Sequence, residues 1–589
     1  MSRAMSRLDT RSRLKVMAVV LGLATTSLVV RALDLQFVDK DFYQRQGDAR
    51  FLRELPIATS RGMISDRHGE PLAVSSPVES LWANPQELLP HAQRIAELSQ
   101  ALDAEPGLLE ARLAQRADRE FVYLRRHMNP DAAAEILARE IPGVYSQREF
   151  RRFYPQGEVM AHVLGFTNID DRGQEGLELA FDDWLTGTPG AKRVIRDRRG
   201  RIVENVDLIR PAQPGRDLRL SLDRRIQYLA YRELKSALIE HGASSGSVVI
   251  LDVASGEILA MVNQPSYNPN AREGLDPSSQ RNRAVTDVFE PGSVLKTFTA
   301  AAALETGRYT PDTTFETSPG FLMVAGHRVS DIRDFGSVSV TRMLTKSSNI
   351  VATKLALDMH PEHQHDVLRR FGFGQPTGSG FPGEAGGVLT APNGWGTLHR
   401  TTIAFGYGVS VTALQLAQAY AAIGNRGVLS APTFLHAAPP QRRTVIDPQL
   451  AQTLLRMLET VTGPEGSAKS AVVSGFRVAG KTGTSRRAVA GGYQKRYISL
   501  FAGLIPASDP RFAMVVMIND PQGDSYYGGL VAAPVFGRVM EAALRVMNVP
   551  PDNVAQWLAA VPAADTLHRF DEAAAEALID DGSLLRAAP

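Results

Sequence analysis

The chain has 589 residues, 44% of them hydrophobic and 22% charged, with Lys+Arg 65 against Asp+Glu 63, a formal charge of +2 and no cysteine. Such a composition belongs to a foldable chain of about two to four domains and excludes a disordered, collagenous or polytopic membrane protein. The near-neutral balance gives no general drive toward nucleic acid, and the lack of cysteine removes thiol nucleophiles, disulfides, thiolate zinc sites and iron–sulfur clusters.

Residues 16–30 carry no charged side chain and lie between a basic leader (Arg3, Arg7, Arg11, Arg13 and Lys15 against Asp9 alone) and Arg31. As a helix this run spans about 22 Å, against about 30 Å of membrane hydrocarbon. Snorkelling by Lys15 and Arg31, and the apolar Ala32, Leu33 and Leu35, extend it. Gly22 and Ala24 would suit a signal-peptide cleavage site, but the apolar run continues past them, so an uncleaved anchor over 16–38 is expected. Residues 1–15 then stay in the cytoplasm and everything after the anchor faces outside. The absence of cysteine fits that oxidising side.

Residues 39–215 are rich in Arg, Glu and Gly turns and close in Arg210-Pro-Ala-Gln-Pro-Gly215, which reads as a linker between domains. Beyond it, 218–222 alternates as a strand and 224–240 has helical spacing. Residues 247–253 and 257–262 read as strands joined by Ala254-Ser-Gly256 in a hairpin. A helix over 412–423 ends at Gly424-Asn-Arg-Gly427, and 512–518 is a further strand. This mixture predicts an α+β domain over 216–550, an antiparallel sheet covered by helices. Residues 551–589 turn Ala-rich and acidic, as a helical or disordered tail.

Three short motifs follow in order: Ser293-Val-Leu-Lys296, Ser347-Ser-Asn349 and Lys481-Thr-Gly-Thr484. SxxK also occurs at Ser12 to Lys15, and SxN at Ser266-Tyr-Asn268, so only the combination is informative. Together the three mark penicillin-binding proteins and class A β-lactamases. Ser293 follows the turn Glu290-Pro-Gly292 and opens a predicted helix, which puts Lys296 one turn away on the same face. Amides at a helix start also favour the anion that develops in acyl transfer.

A lysine base must lose about 3 pK units, roughly 4 kcal/mol, to be neutral at pH 7. A second ammonium about 4 Å away supplies that much at an effective dielectric of about 20, and Lys481 is the candidate. Lys296 would then deprotonate Ser293, Ser347 would relay protons, and Asn349 would hold a substrate amide. Thr482 and Thr484 offer hydroxyls to a carboxylate, and Gly483 lets backbone and ligand approach closely.

Two rival patterns are present. Gly475-Phe-Arg-Val-Ala-Gly-Lys-Thr482 matches the P-loop GxxxxGK[ST], but no helical repeat follows it. His360, His363 and His365 do not share one helix face and are interrupted by Pro361, so a solvated loop rather than a metal site is expected. Asp66, Arg67, Glu175 and Glu178 lie among turn residues and read as structural ion pairs.

The chain resembles the class B penicillin-binding proteins of the division-specific, penicillin-binding protein 3 type. In the first domain the resemblance runs through Arg61-Gly-Met-Ile-Ser-Asp-Arg67-His-Gly69, Arg152-Phe-Tyr-Pro155, Ala161-His-Val-Leu-Gly165 and Gly173-Gln-Glu-Gly-Leu-Glu178. In the second it includes Tyr407-Gly-Val-Ser-Val-Thr412, Tyr526-Tyr-Gly-Gly529 and Met547-Asn-Val-Pro-Pro-Asp552. It implies a serine D,D-transpeptidase without metal or cofactor, cross-linking peptidoglycan stem peptides at the septum and acylated by β-lactams. The backbone N–H groups of Ser293 and Thr484 would form the oxyanion hole. Residues 39–215 would be a pedestal that meets partners, including a separate glycan polymerase and other division proteins. The implied location is the bacterial inner membrane, single pass, with the catalytic domain in the periplasm. The competing functions are a serine β-lactamase, for which no deacylating carboxylate motif is found, and a β-lactam sensor or division scaffold.

Overall fold

A computed structural model describes residues 10–34, 52–105, 107–196, 202–274, 276–489, 492–553 and 555. Thr10–Leu33 is one helix of 24 residues, about 36 Å long, so it exceeds the apolar run on both sides. Its segment Arg11–Leu33 is long and apolar enough to cross a membrane, with no part buried against protein. The stretch from 35 to 38, expected to complete the anchor, lies outside the described residues, as does nearly all of the tail after 553.

The chain forms two compact units that do not follow chain order. One comprises Met1–Ser60, Pro77–Arg151 and Gly187–Gly215; the other comprises Arg61–Ser76, Arg152–Thr186 and Arg216–Pro589. In the first, Leu52–Ile57, Gly190–Arg196 and Ile202–Arg210 make an antiparallel sheet. A separate core there gathers Leu81, Leu88, Ile95, Leu98, Leu113 and Ile136.

The second unit takes back the segments that carry the Arg-Gly, Arg-Phe-Tyr-Pro and Gly-Gln-Glu-Gly motifs. Glu178 explains why. Its two carboxylate oxygens accept from Arg61 Nε and Arg152 Nε, each at 2.6 Å, and its side chain is fully buried. Arg61 also donates to Asp182 Oδ1 at 2.6 Å and to the Glu178 carbonyl at 2.7 Å, while Arg152 donates to the Gly62 carbonyl at 2.8 Å. Of the four residues expected to form structural ion pairs, Glu178 and Arg67 do, Glu178 with the arginines of two different motifs, while Asp66 and Glu175 form none among the described residues. Asp66 caps its own turn through the amides of His68 and Glu70, and Arg67 pairs with Glu257 at 3.1 Å.

The main sheet of this unit has five antiparallel strands in the order Ile258–Gln264, Ser245–Asp252, Phe512–Asn519, Gly492–Ile505, Ala479–Val489. Every residue of Ser245–Asp252 and Ile258–Gln264 is buried, so helices cover both faces there. Helix Arg224–Glu240 has the predicted bounds because Asp223 caps it through Arg225 N. Helix Ala413–Gly424 begins with a reciprocal capping box between Thr412 and Gln415. The strand expected over 218–222 is reduced to Leu218–Arg219, which pairs in parallel with Ile64–Ser65.

Candidate active site

Ser293 lies in a single 3-10 turn, Gly292–Leu295, and Lys296 begins the α-helix Lys296–Glu305. The helix is sunk in the core: Tyr420 Oη donates to the Val294 carbonyl at 3.1 Å and meets Thr297 Oγ1 at 2.8 Å, and Phe298 packs edge-on against Phe371, Phe373 and Tyr420. A tight turn on so buried a base holds the serine rigidly at the helix mouth.

Ser347 is the hinge between two helices, Val340–Lys346 and Asn349–Asp358, and sits in the left-handed region at φ 60, ψ 41. For a residue with a β-carbon that conformation costs about 1–2 kcal/mol, so its surroundings must impose it. The helix-capping serine is its neighbour Ser348, whose hydroxyl accepts from Val351 N at 3.2 Å. Lys481 to Thr484 lie on the edge strand Ala479–Val489. A lysine in mid-strand cannot be the lysine of a P-loop, which must open a helix.

These elements converge on one ammonium. Lys296 Nζ lies 3.1 Å from Ser293 Oγ, 3.2 Å from Ser347 Oγ, 2.6 Å from the Ser347 carbonyl and 2.7 Å from Asn349 Oδ1. Lys481 Nζ reaches Ser347 Oγ at 3.1 Å and the Thr482 carbonyl at 3.1 Å. Ser347 Oγ therefore stands between two lysines, both fully buried. Burial, more than the neighbouring ammonium, holds Lys296 well below the ordinary lysine range; repulsion by Lys481 adds to it. Burial likewise pushes Lys481 down to about 7. Charge repulsion alone, the cause expected from the sequence, is thus the smaller of the two effects on Lys296.

Asn349 is engaged at both ends of its amide, since Nδ2 donates to the Ser330 carbonyl at 2.9 Å. Its oxygen retains one lone pair and its nitrogen one hydrogen for a further partner. Thr482 Oγ1 meets Ser467 Oγ at 2.9 Å, and Thr484 Oγ1 accepts from Gly528 N at 3.0 Å. A β-carbon on Gly483 would stand 2.7 Å from Val294 Cγ2 and 2.8 Å from the Pro291 carbonyl. The crowding at Gly483 comes from the turn that carries Ser293, so this glycine lets the edge strand lie against the serine turn.

Several contributors escape sequence reading. Glu290 Oε1 accepts from Gly408 N at 2.7 Å and Tyr493 Oη at 3.1 Å, and burial raises its pKa. Asp331 accepts from Ser348, Asn349 and Ile350. Asp331 belongs to no motif and only the folded loops bring it here, while Glu290, three residues before Ser293, finds Gly408 and Tyr493 only in the fold. The histidines also differ from expectation: Pro361–Arg370 is a helix, because Pro361 occupies its first turn, where proline is tolerated. His363 contacts the Ala302 carbonyl at 2.9 Å and His365 packs against Trp395; among the described residues no group of acids and histidines could hold a metal ion.

Comparison with known proteins shows the family. The penicillin-binding protein transpeptidase domain matches residues 246–541, and the penicillin-binding protein dimerisation domain matches residues 56–220. The chain is 43% identical over 537 residues to the peptidoglycan D,D-transpeptidase FtsI of Escherichia coli, covering 90% of this chain and 91% of the relative. It is 42% identical over 534 residues to the probable peptidoglycan D,D-transpeptidase PbpC of Pseudomonas aeruginosa, covering 90% and 94%. Among solved structures, the transpeptidase domain of Burkholderia pseudomallei penicillin-binding protein 3 is 39% identical with a TM-score of 0.52, covering 56% of this chain and 97% of that one. Penicillin-binding protein 3 of Mycobacterium tuberculosis, complexed with aztreonam, is 28% identical with a TM-score of 0.64, covering 85% and 98%.

Proposed function

Since the chain belongs to the class B penicillin-binding proteins, the family of the septal peptidoglycan D,D-transpeptidase FtsI, we propose that it cross-links stem peptides through an acyl-enzyme on Ser293. The observation that carries this reading is the single Lys296 Nζ within hydrogen-bond reach of Ser293 Oγ, Ser347 Oγ and Asn349 Oδ1.

Neutral Lys296 takes the Ser293 proton as Oγ attacks the carbonyl between the two terminal D-alanines of a stem peptide. Backbone N–H groups of Ser293 and Thr484 hold the oxyanion, and the hydroxyls of Thr482 and Thr484 hold the terminal carboxylate, with Gly483 keeping that strand against the serine turn. The proton passes from Lys296 through Ser347 Oγ, beside Lys481, to the departing D-alanine nitrogen. Asn349 turns its free hydrogen-bonding capacity to the substrate amide. The side-chain amine of a second stem then attacks the ester and regenerates Ser293. A β-lactam enters by the same acylation and stays, having no leaving group that diffuses away.

The apolar helix serves as an anchor in the inner membrane, with residues 1–15 in the cytoplasm and the rest in the periplasm. Residues 39–215 act as pedestal, 216–550 as the transpeptidase domain and 551–589 as a tail, and the chain works with a separate glycan polymerase and other division proteins. Labelling the full chain with a fluorescent penicillin tests the assignment: Ser293→Ala abolishes the label, and a label that persists in that variant refutes the nucleophile.

A further inference from the structure

Asp331 lies outside all three motifs, at the end of the hairpin formed by Phe321–Val324 and His327–Ser330. Its own N–H is tied to the Gly320 carbonyl at 3.1 Å. Its carboxylate gathers three consecutive residues: Oδ2 accepts from Ser348 Oγ at 2.5 Å, and Oδ1 from Asn349 N at 2.6 Å and Ile350 N at 3.1 Å. The two amides open helix Asn349–Asp358, where the helix dipole also favours an anion. The preceding carbonyl, Ser330, holds Asn349 Nδ2. One end of a hairpin thus grips everything immediately after Ser347.

That grip has a consequence for Ser347. Before it, helix Val340–Lys346 ends with the Ser347 amide bonded to the Met343 carbonyl. After it, residues 348–350 are fixed on Asp331. The single residue between must make the whole turn, and its left-handed backbone aims the carbonyl and hydroxyl at Lys296. We propose that Asp331 is a positioning residue of this site: its carboxylate pins residues 348–350 so that Ser347 is presented to both lysines, and it is the counter-charge to Lys296.

The charged groups that face Lys296 are Lys481, from the edge strand, and Asp331; Ser293, Ser347 and Asn349 are neutral. Burial and Lys481 push Lys296 toward its neutral form, and Asp331 opposes them. A base is most effective when it is neutral at the working pH yet still avid for a proton, and an anion set against desolvation and one repelling lysine provides that balance.

This inference rests on Ser293 and Lys296 acting as nucleophile and base, and the test separates the two claims. Acylation rates of the full chain in detergent micelles, with penicillin as the probe, are measured from about pH 5 to about pH 10 for wild type, Asp331→Asn and Ser348→Ala. The asparagine amide keeps the shape and the acceptor for both helix amides but loses the charge. Asp331→Asn is expected to lower the maximal rate about fivefold, because charge-assisted bonds become neutral ones, and to move the rising limb of the profile to lower pH. Ser348→Ala, which loosens the grip and keeps the charge, lowers the rate and leaves the limb in place. An Asp331→Asn profile that coincides with wild type, or a limb that moves equally in both variants, overturns the proposal while leaving Ser293 as the nucleophile. If Ser293→Ala still acylates, the underlying reading and this inference both fall.

Discussion

Lys481→Met should make the protein more stable at neutral pH while abolishing acylation. Lys481 is fully buried and its pKa lies at about 7, against an ordinary 10.5 that applies in the unfolded chain. Each pK unit corresponds to about 1.4 kcal/mol, so burying this group costs on the order of 4 kcal/mol at pH 7. Methionine fills nearly the same volume with no charge. Against that gain stand the bonds Lys481 makes to Ser347 Oγ and the Thr482 carbonyl, each contributing about 1 kcal/mol net. The expected balance is a variant about 2 kcal/mol more stable at pH 7, before any relief of Lys296 is counted. The sign with pH is fixed by the depressed folded-state value. Between about 7 and 10.5 the unfolded chain binds the extra proton, so wild-type stability rises through that window by up to about 1.4 kcal/mol per pH unit. The advantage of the variant therefore shrinks as pH rises and is gone by about pH 9. Urea unfolding of the full chain in detergent micelles, read by pulse proteolysis at the two pH values, measures both numbers. A Lys481→Met protein less stable than wild type at pH 7, or a difference independent of pH, would show that the buried lysine is not held at a depressed pKa.

Glu178→Ala leaves Arg61 and Arg152 buried without their shared acid and should destabilise the second unit by about 3–5 kcal/mol, measured by the same unfolding assay. Gly483→Ala drives a β-carbon into Val294 and the Pro291 carbonyl; stability falls by about 1–3 kcal/mol and penicillin acylation slows, because the edge strand must withdraw from the Ser293 turn. Asp171 has its pKa raised to about 6 by burial, above the ordinary 3.8, so the folded state binds the extra proton and stability falls as pH rises between those values. Asp171→Asn, at a φ of 59 that asparagine tolerates, should add about 1–2 kcal/mol at pH 7 and almost nothing near pH 4.

Much of the site was legible because its chemistry is written in short motifs. Ser293 and Lys296 are one helical turn apart, and local geometry alone brings them together. Helix Arg224–Glu240 and the capping of Ala413–Gly424 follow from side chains within three residues of the helix start. The helix long and apolar enough to cross a membrane follows from an uncharged run beside a basic leader, since hydrocarbon excludes charge whatever the rest of the fold does.

What tertiary structure decided is everything that depends on residues far apart in the chain. Ser347 reaches Lys296 across 51 positions and Lys481 across 134, and the order of the motifs does not reveal those distances. The main cause of the depressed pKa of Lys296 is likewise tertiary, since desolvation is a property of the packed interior and outweighs the repulsion that two lysines in a sequence suggest. Gly483 is a glycine because of the turn behind it, and Asp331 matters because a distant hairpin delivers it to a helix start. Sequence determines which groups can react. Burial and backbone crowding, which exist only once the sheet and helices close, determine which of them hold a charge and where the serine stands.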